Sequence, residues 1–308
     1  MMFFAPPPTI ETEIFSRMPD RFRNPRKTRW ADVNRSGMAI DSFLEGPCFD
    51  GHGNLYVTDI PFGRIFRITP GGEWELVSEY DGWPNGMKFH SEGKIYITDY
   101  KRGVLQLDVG TGAVAPVIEE YFSEGFKGVN DLVFAANGDL YFTDQGQSGL
   151  HSPTGRVFRL SVAGKLECVM SDIPSPNGIV IAKDMSYLLV AVTRAQQIWR
   201  APLHEGTATK VGVFLHLHGG LGGPDGLALS EDGELFVAHT GFGSIWHVSR
   251  VAEPLHRIRS CAGISTTNIA FDPRDRHVIY ITESQTGSIL RARLPVRGEE
   301  LCMGGVVS

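Results

Sequence analysis

The chain has 308 residues, a formal net charge of −6 and an isoelectric point near 5.9. That balance is unlike the basic patch of nucleic-acid-binding proteins, so we expect no nucleic-acid partner. Hydrophobic residues make up 42% of the chain, as in an ordinary globular protein, and no apolar run reaches the ~18 residues of a membrane span, so no membrane partner is expected either.

The N-terminal residues MMFFAPPP contain too short an apolar run for a signal peptide, and prolines interrupt it. The four cysteines, Cys48, Cys168, Cys261 and Cys302, are scattered and form no C-x-x-C pair. Such usage is typical of reduced thiols in a cytosolic protein. We therefore predict a cytoplasmic location, whereas the sequence gives no indication of an oligomeric state.

Residues 1–37 are predicted to form an N-terminal extension. An apolar fragment beginning at Ile14 and Phe15 predicts one strand within it. Residues 17–35 contain seven Lys/Arg residues together with Trp30. This basic segment fits a solvated surface loop, as most charge runs do, or a lid over a cavity.

One sequence pattern is then repeated six times between residues 38 and 294. The residues that open the copies follow one another at intervals of 40, 45, 47, 48 and 43 residues. The six opening residues are Glu45, Asn85, Asn130, Asn177, Asp225 and Asn268. A period near ~40–45 residues with several strands per copy is the signature of a β-propeller.

The fifth copy illustrates how each repeat predicts four strands. A short apolar strand follows Asp225, Asp232-Gly233 supplies a tight turn, and a strand of apolar residues comes next. The segment GSIWHVS from Gly243 predicts a third strand, and a weaker fourth strand follows. Copies four and six lack the glycine of the first turn and are the least regular.

We therefore predict an all-β, six-bladed β-propeller with four-stranded antiparallel blades. The blades are expected at residues 45–83, 84–127, 128–175, 176–222, 223–265 and 266–294, with an N-terminal strand completing the last blade and residues 295–308 forming a tail. A β-sandwich or a string of small all-β domains is disfavoured by the regular spacing.

The six opening residues predict a central metal site. The first strand of a blade lies nearest the axis, and each opening residue offers a side-chain oxygen. Carboxylate and carboxamide oxygens suit hard cations, Ca²⁺ above all. The alternative is that pairs such as Asn85-Gly86 and Asp225-Gly226 are turns between blades. Against it, each copy has its own turn later, and Glu45 stands at the same register.

The residues that end the second strands predict a second ring near the same face, as substrate wall or as turn caps. These residues are Asp59, Asp99, Asp144, Val192, His239 and Glu283. His239 departs from the acidic pattern and is predicted to contact substrate, because histidine moves protons near neutral pH.

Four motifs resemble the SMP-30/gluconolactonase/LRE-like family of calcium-dependent six-bladed propellers over residues 38–294. The motifs are EGP from Glu45, GVND from Gly128, SPNG from Ser175 and GPDG from Gly223. The resemblance implies that Glu45, Asn130, Asn177 and Asp225 bind the catalytic divalent ion. It also implies catalytic acids at Asp225 and Asp131, and pocket positions for Asn85 and Asn268. We expect Trp83, an aromatic neighbour, to join them in binding substrate.

The resemblance implies a Ca²⁺-dependent hydrolase that opens a lactone ring, with Zn²⁺, Mn²⁺ or Mg²⁺ as other possible ions. The ion would act as a Lewis acid and an aspartate as base or nucleophile. Members that hydrolyse sugar lactones carry an arginine where this chain has Gly128, which argues against a sugar lactone. The alternatives are a phosphotriester hydrolase, an enzyme that rearranges its substrate, and a non-catalytic binding module with a structural ion.

Overall fold

The computed structural model describes residues 5–90 and 92–300. The N-terminal part consists of β1 (Thr9–Glu11), β2 (Glu13–Arg17), a 3-10 helix at Asp20–Phe22 and the helix α1 (Arg29–Asn34). Within the described ranges no helix is long and apolar enough to cross a membrane. Cys48, Cys168 and Cys261 are free thiols, and Cys302 lies outside the described ranges.

The first half of the repeat region forms three antiparallel sheets. The strands are β3 (Leu44–Phe49), β4 (Leu55–Asp59), β5 (Arg64–Ile68) and β6 (Trp74–Glu79); β7 (Pro84–Phe89), β8 (Lys94–Asp99), β9 (Gly103–Asp108) and β10 (Val114–Ile118); a small hairpin of β11 (Glu120–Tyr121) and β12 (Glu124–Gly125); and β13 (Val129–Phe134), β14 (Leu140–Asp144), β15 (Gly155–Leu160) and β16 (Leu166–Ile173). A 3-10 helix at Ile60–Phe62 follows β4.

The second half repeats the arrangement. Its strands are β17 (Pro176–Ile181), β18 (Tyr187–Val192), β19 (Gln197–His204), the short β20 (Thr207–Ala208) and β21 (Gly212–His216); β22 (Gly223–Leu229), β23 (Leu235–Thr240), β24 (Ser244–Val248) and β25 (Pro254–Arg259); and β26 (Thr266–Phe271), β27 (Val278–Glu283) and β28 (Ser288–Arg293). A 3-10 helix at Thr193–Ala195 follows β18. The predicted six-bladed, antiparallel β-propeller is confirmed.

The N-terminal extension closes the ring. Strand β2 pairs antiparallel with β28 and supplies the fourth strand of blade six. Strand β1 runs parallel to β25 and adds a fifth strand to blade five. One stretch of chain therefore ties the two last blades together. Since closure removes the free edge of the sheet assembly, it also protects the inner strands that carry the candidate site.

The hydrophobic core lies between neighbouring blades. Leu189 of blade four packs in one cluster with Leu227 and Val237 of blade five, and all three are almost fully buried. Both faces of each middle strand are covered, which explains why β4, LYVTD, is buried at every position. Full burial of one such aliphatic side chain contributes roughly 1.5–3 kcal/mol to folding. The packing between blades therefore stabilises the positions of the inner strands.

Threonines near the ends of the second strands of the first three blades tie each of these blades to the next. Thr58 donates its Oγ1 proton to the backbone carbonyl of Asn85 at 2.8 Å, and Thr143 donates to the carbonyl of Asn177 at 2.8 Å. The Thr-Asp ending of these strands is thus explained by its threonine, whose hydroxyl fixes the opening residue of the following blade.

Candidate functional site

The six opening residues all lie within the innermost strand of a blade, and none lies in a turn. Asn85 is inside β7, Asn177 inside β17 and Asp225 inside β22. The turn interpretation of the Asn-Gly and Asp-Gly pairs is therefore wrong. In every blade the pairing of the first two strands shifts at or beside the opening residue. Such β-bulges re-aim a side chain, which here directs the opening residues towards the axis.

The glycine that follows four of the opening residues allows close approach of the next blade. A Cβ atom added at Gly178 would lie 2.3 Å from the carbonyl oxygen of Asp225. One added at Gly226 would lie 2.0 Å from Oδ1 of Asn268, and one at Gly86 would lie 2.4 Å from Oδ1 of Asp131. Glycine is therefore required because neighbouring inner strands nearly touch.

Replacing Gly226 with alanine is expected to destabilise the protein by about 1–3 kcal/mol, as overpacking of a tight interior does. The new methyl group would displace the Asn268 side chain. Denaturant unfolding measures the change. Gly212→Ala is the matched control, because no atom of the described residues lies within 4 Å of a Cβ atom there. Equal stability of the two variants would contradict the close approach.

Five opening residues line one cavity of about 860 Å³ at the axis: Glu45, Asn85, Asn130, Asn177 and Asp225. Each of these side chains is at most 9% exposed. Asn268 is equally buried but does not line the cavity. Its Nδ2 donates to Oε2 of Glu45 at 2.9 Å and lies 3.5 Å from Oδ2 of Asp131, so it bridges the two carboxylates from beneath.

Trp83 and Asn85, two of the predicted substrate-binding residues, both line the cavity. Asp131 is buried and lies outside the lining. The backbone N–H of Leu132 donates to its Oδ1 at 2.8 Å. Asp131 thus influences the cavity through its charge and through Asn268.

The unpaired side-chain oxygen of Asn130 tests whether the site fits a bound cation. Asn130 Oδ1 is buried and has no hydrogen-bond partner among the described residues. Its amide is oriented, because Nδ2 donates to Oε1 of Gln145 at 3.1 Å and Gln145 Nε2 donates to Ser175 Oγ at 2.9 Å. Since leaving a buried acceptor unpaired costs about 1–3 kcal/mol, the arrangement fits an oxygen held ready for a ligand.

The carboxylates give a second test. Burial and, to a lesser extent, the nearby charge of Asp131 together raise the pKa of Glu45 to about 7, against the opposing hydrogen bonds from Gly46 and Asn268. Burial also raises the pKa of the Asp225 carboxyl, and the charges of Glu45 and Asp131 add to that rise. Burial likewise raises the pKa of Asp131. Acidic groups crowded in a low-dielectric site are stabilised in ionised form by a cation, so the residues fit one.

The donor set is a mixture of carboxylates and amides. Among the described residues no group of three or more His, Cys, Asp or Glu side chains is placed to hold a metal ion. A cation at the axis would therefore need the carboxamides of Asn130 and Asn177 beside the carboxylates of Glu45 and Asp225. Such an oxygen-only set favours a hard cation.

Three acidic residues at the ends of the second strands accept backbone N–H groups and so act as caps. Asp59 accepts the backbone N–H of Phe43 at 2.7 Å, and Asp144 accepts that of Gly128 at 2.8 Å. Glu283 accepts the N–H of Ser265 at 3.1 Å. None of these three acids lines the cavity. The interpretation of this ring as a substrate wall is therefore wrong.

The structure does not bring His239 to the cavity. Trp246 Nε1 donates to its Nδ1 at 3.1 Å, so Nε2 carries the proton and lies 3.1 Å from the carbonyl oxygen of Gly219. Burial lowers the pKa of His239 to about 4. The ring is neutral, and its two nitrogens are engaged by Trp246 and by the carbonyl of Gly219, so it is not placed to exchange a proton with a substrate in the cavity.

Sequence reasoning did not predict, as a set, the six residues that come one position after the predicted ends of the second strands. All six of them line the cavity: Ile60, Tyr100, Gln145, Thr193, Thr240 and Ser284. Side chains alternate along an extended chain, so a shift of one residue changes the face. The repeat itself carries this signal, one position beyond the Thr-Asp pairs.

Part of the basic N-terminal segment covers the cavity. Thr28 Oγ1 caps α1 by accepting the N–H of Ala31 at 3.1 Å, and Trp30 packs on Phe43 with ring centroids 4.7 Å apart. Trp30, Arg35 and residues 38–43 line the cavity. The segment therefore has the position that the lid hypothesis requires.

Comparison with known proteins gives consistent matches. A family model described as SMP-30/Gluconolactonase/LRE-like region matches residues 43–285. The chain is 28% identical to a protein named Lactonase drp35 of Staphylococcus aureus (strain MW2), covering 74% of this chain and 72% of that one. It is 26% identical to a gluconolactonase of Zymomonas mobilis, covering 89% and 86% of the two chains.

The fold matches that of a solved structure from Agrobacterium tumefaciens, a calcium-binding protein called regucalcin. The TM-score is 0.78 at 19% identity, with 98% of this chain and 100% of the other covered. At that identity the likeness establishes the shared propeller fold.

Proposed function

The chain belongs to the SMP-30/gluconolactonase/LRE-like family, and we propose that it is a divalent-cation-dependent hydrolase that opens lactone rings. The observation that carries the proposal is the oriented, unpartnered Oδ1 of Asn130 in a cavity with the buried carboxylates of Glu45 and Asp225. Two similar proteins are named lactonase and gluconolactonase, which supports the reaction class.

Glu45, Asn130, Asn177 and Asp225 would hold the cation. Ca²⁺ is the first candidate, because hard oxygen donors suit it and the similar regucalcin structure is of a calcium-binding protein. Zn²⁺, Mn²⁺ and Mg²⁺ are the other candidates. When bound, the cation supplies Lewis acidity that stabilises negative charge developing on the lactone carbonyl oxygen.

Asp225 is the proposed general base. Its ionised carboxylate takes one proton from a water molecule while the water oxygen bonds to the lactone carbonyl carbon. The ring C–O bond then breaks, the departing alkoxide takes up that proton, and the product is a hydroxy acid. Burial and the charges of Glu45 and Asp131 raise the pKa of Asp225, which strengthens it as a base.

Asp131 affects the site indirectly. Its charge raises the pKa of Glu45 and Asp225, and it lies beside the amide of Asn268. The Asn268 side chain orients Glu45 by its 2.9 Å hydrogen bond to Oε2. These two residues are therefore proposed as positioning residues beneath the reacting groups. His239 has no place in the proposed mechanism, because its ring nitrogens are engaged by Trp246 and by the carbonyl of Gly219.

One wall of the cavity is aromatic, whereas much of the remaining lining is polar or charged. Trp83 and Tyr100 line the cavity with ring centroids 5.7 Å apart, and Asn85 adds one amide. A side chain at Gly128 would collide with Tyr100, because a Cβ atom there would lie 2.3 Å from its ring. The aromatic ring thus takes the space that a longer side chain at position 128 would need.

The test is metal analysis combined with turnover of a lactone panel and of phosphotriesters. We expect lactone hydrolysis that falls at least about tenfold after chelation and returns on adding Ca²⁺, since a Lewis acid contributes several kcal/mol. Heat-unfolded protein with the same ion is the blank. Hydrolysis of phosphotriesters alone, or of neither class, would contradict the proposal, as would turnover indifferent to chelation.

The proposed location is the cytoplasm, as the scattered cysteines suggest. The proposed partner is a small-molecule lactone.

A further inference from the structure

Two arginines of the cavity lining have no side-chain partner among the described residues. Arg35 follows α1 and is half-buried, and Arg194 lies in the 3-10 helix after β18 and is exposed at the cavity. Among the described residues, neither guanidinium has a hydrogen-bond or ion-pair partner; Arg35 only stacks over Phe43, 4.8 Å from the ring centroid. Arg23, the third arginine of the lining, differs because its Nε donates to Asp41 at 2.8 Å.

The charges of the lining do not cancel once a divalent cation is bound. The charged lining residues are Arg23, Arg35, Asp41, Glu45, Arg194 and Asp225. The Arg23–Asp41 pair is neutral, and the carboxylates of Glu45 and Asp225 match a divalent cation. Arg35 and Arg194 then remain as positive charge. Even when Asp131 beneath the cavity is counted, one positive charge is left over.

Arg35 and Arg194 are placed to bind a substrate group that lies beside the opening residues Glu45 and Asp225. Arg194 and Asp225 line the same cavity. Burial raises the pKa of the Asp225 carboxyl and the Arg194 charge opposes that rise, as expected for side chains within electrostatic reach. Burial lowers the pKa of Arg35, and the Asp225 charge raises it. Arg35 is thus partly withdrawn from water, and withdrawing a cation without a partner is unfavourable. A guanidinium binds a carboxylate through two parallel hydrogen bonds, which makes an anion the natural partner.

We propose that the substrate is an anionic lactone, whose acidic substituent binds Arg35 and Arg194 while its ring carbonyl meets the axial residues. The proposal rests on the lactonase function proposed above. It adds the substrate class: a lactone that carries a carboxylate beyond the ring. It also gives the basic N-terminal segment a role in specificity, since Arg35 belongs to that segment and lines the same cavity as the opening residues.

The kinetic test compares γ-butyrolactone bearing a γ-carboxylate with the corresponding carboxamide, which has the same size and no charge. The wild-type protein should favour the carboxylate in kcat/KM. Arg35→Gln and Arg194→Gln should each reduce that preference by about 10-fold to 100-fold, as expected for loss of a hydrogen bond to a charged group. Arg35→Lys should retain more of the preference than Arg35→Gln. Arg250→Gln, which removes an exposed arginine away from the cavity, is the matched control.

A binding measurement separates this proposal from the proposed reaction. Pyroglutamate and its amide are lactam analogues that differ in one charge, and calorimetry measures their binding with Ca²⁺ and after chelation. The wild-type protein should bind pyroglutamate more tightly, and Arg35→Gln or Arg194→Gln should remove the difference. If no lactone is hydrolysed but this difference is found, the lactonase function fails and the anion site stands. If lactones are hydrolysed but charge makes no difference, or both ligands weaken equally in the variants, the anionic substrate class is overturned.

Discussion

Replacing Asp225 with asparagine is expected to reduce kcat for lactone hydrolysis by about 10³-fold, the usual scale for loss of a general base. The substitution keeps the size of the side chain and removes the carboxylate that accepts the proton from water. Asp225 is 7% exposed and belongs to an inner strand, so the fold should be preserved. Steady-state kinetics at saturating Ca²⁺, with circular dichroism of the same samples, measures both.

Asp272→Asn is the matched control for this variant. Asp272 is also nearly buried, at 5% exposed, but lies away from the cavity and pairs with Arg274 at 2.9 Å. We expect it to retain turnover. An Asp225→Asn protein that binds Ca²⁺ and retains more than about a tenth of wild-type kcat would contradict the role of general base.

The repeat made most of the fold predictable. Each copy contains its own strand, turn and strand signals, so six copies spaced by similar intervals indicate six blades without any knowledge of long-range contacts. The opening residues were also predictable, because a propeller places the first strand of every blade at the axis. Residues such as Asn130 and Asp225, which are 95 positions apart in sequence, share a cavity for that reason.

The sequence did not predict which side chains at the strand ends face the cavity. His239 and Thr240 are neighbours in sequence, yet the first is paired inside blade five and the second lines the cavity. Because side chains alternate between the two faces of a strand, a shift of one residue decides whether a side chain faces the cavity. A bulge beside each opening residue introduces such a shift locally. No feature of a single sequence locates those bulges.

The contribution of the N-terminal segment to the cavity depends on tertiary packing. Helix α1 has only six residues, too few to be stable alone, so its sequence carries a weak signal. Its position is set by Trp30, which is 8% exposed and packs with Ile60 of the first blade. The basic charge of the segment was visible in the sequence, whereas the direction of Arg35 into the cavity required the structure.

Metal-free protein is expected to lose stability as the pH rises from about 5 to about 8. The pKa of Glu45 is raised from 4.5 to about 7 by burial, so the folded state holds a proton there that the unfolded state releases. The contribution of Glu45 to stability is therefore fully present below pH 4.5, is lost as the pH rises through about 7, and does not change further above that. A shift of this size corresponds to about 3 kcal/mol. Asp225 and Asp131 act in the same direction, since burial raises the pKa of both.

Denaturant unfolding of chelator-treated protein at several pH values, with Glu45→Gln as the comparison, isolates this effect. Glu45→Gln cannot release the proton, so it should lose less stability over the same range, while the exposed Glu73→Gln should behave like wild type. Because a divalent cation competes with the proton on Glu45, Ca²⁺ affinity should rise with pH and be weaker in Glu45→Gln. If wild type and Glu45→Gln show the same pH dependence without metal, Glu45 does not titrate in this range. If Ca²⁺ stabilises the wild-type protein and Glu45→Gln equally, Glu45 is not a ligand.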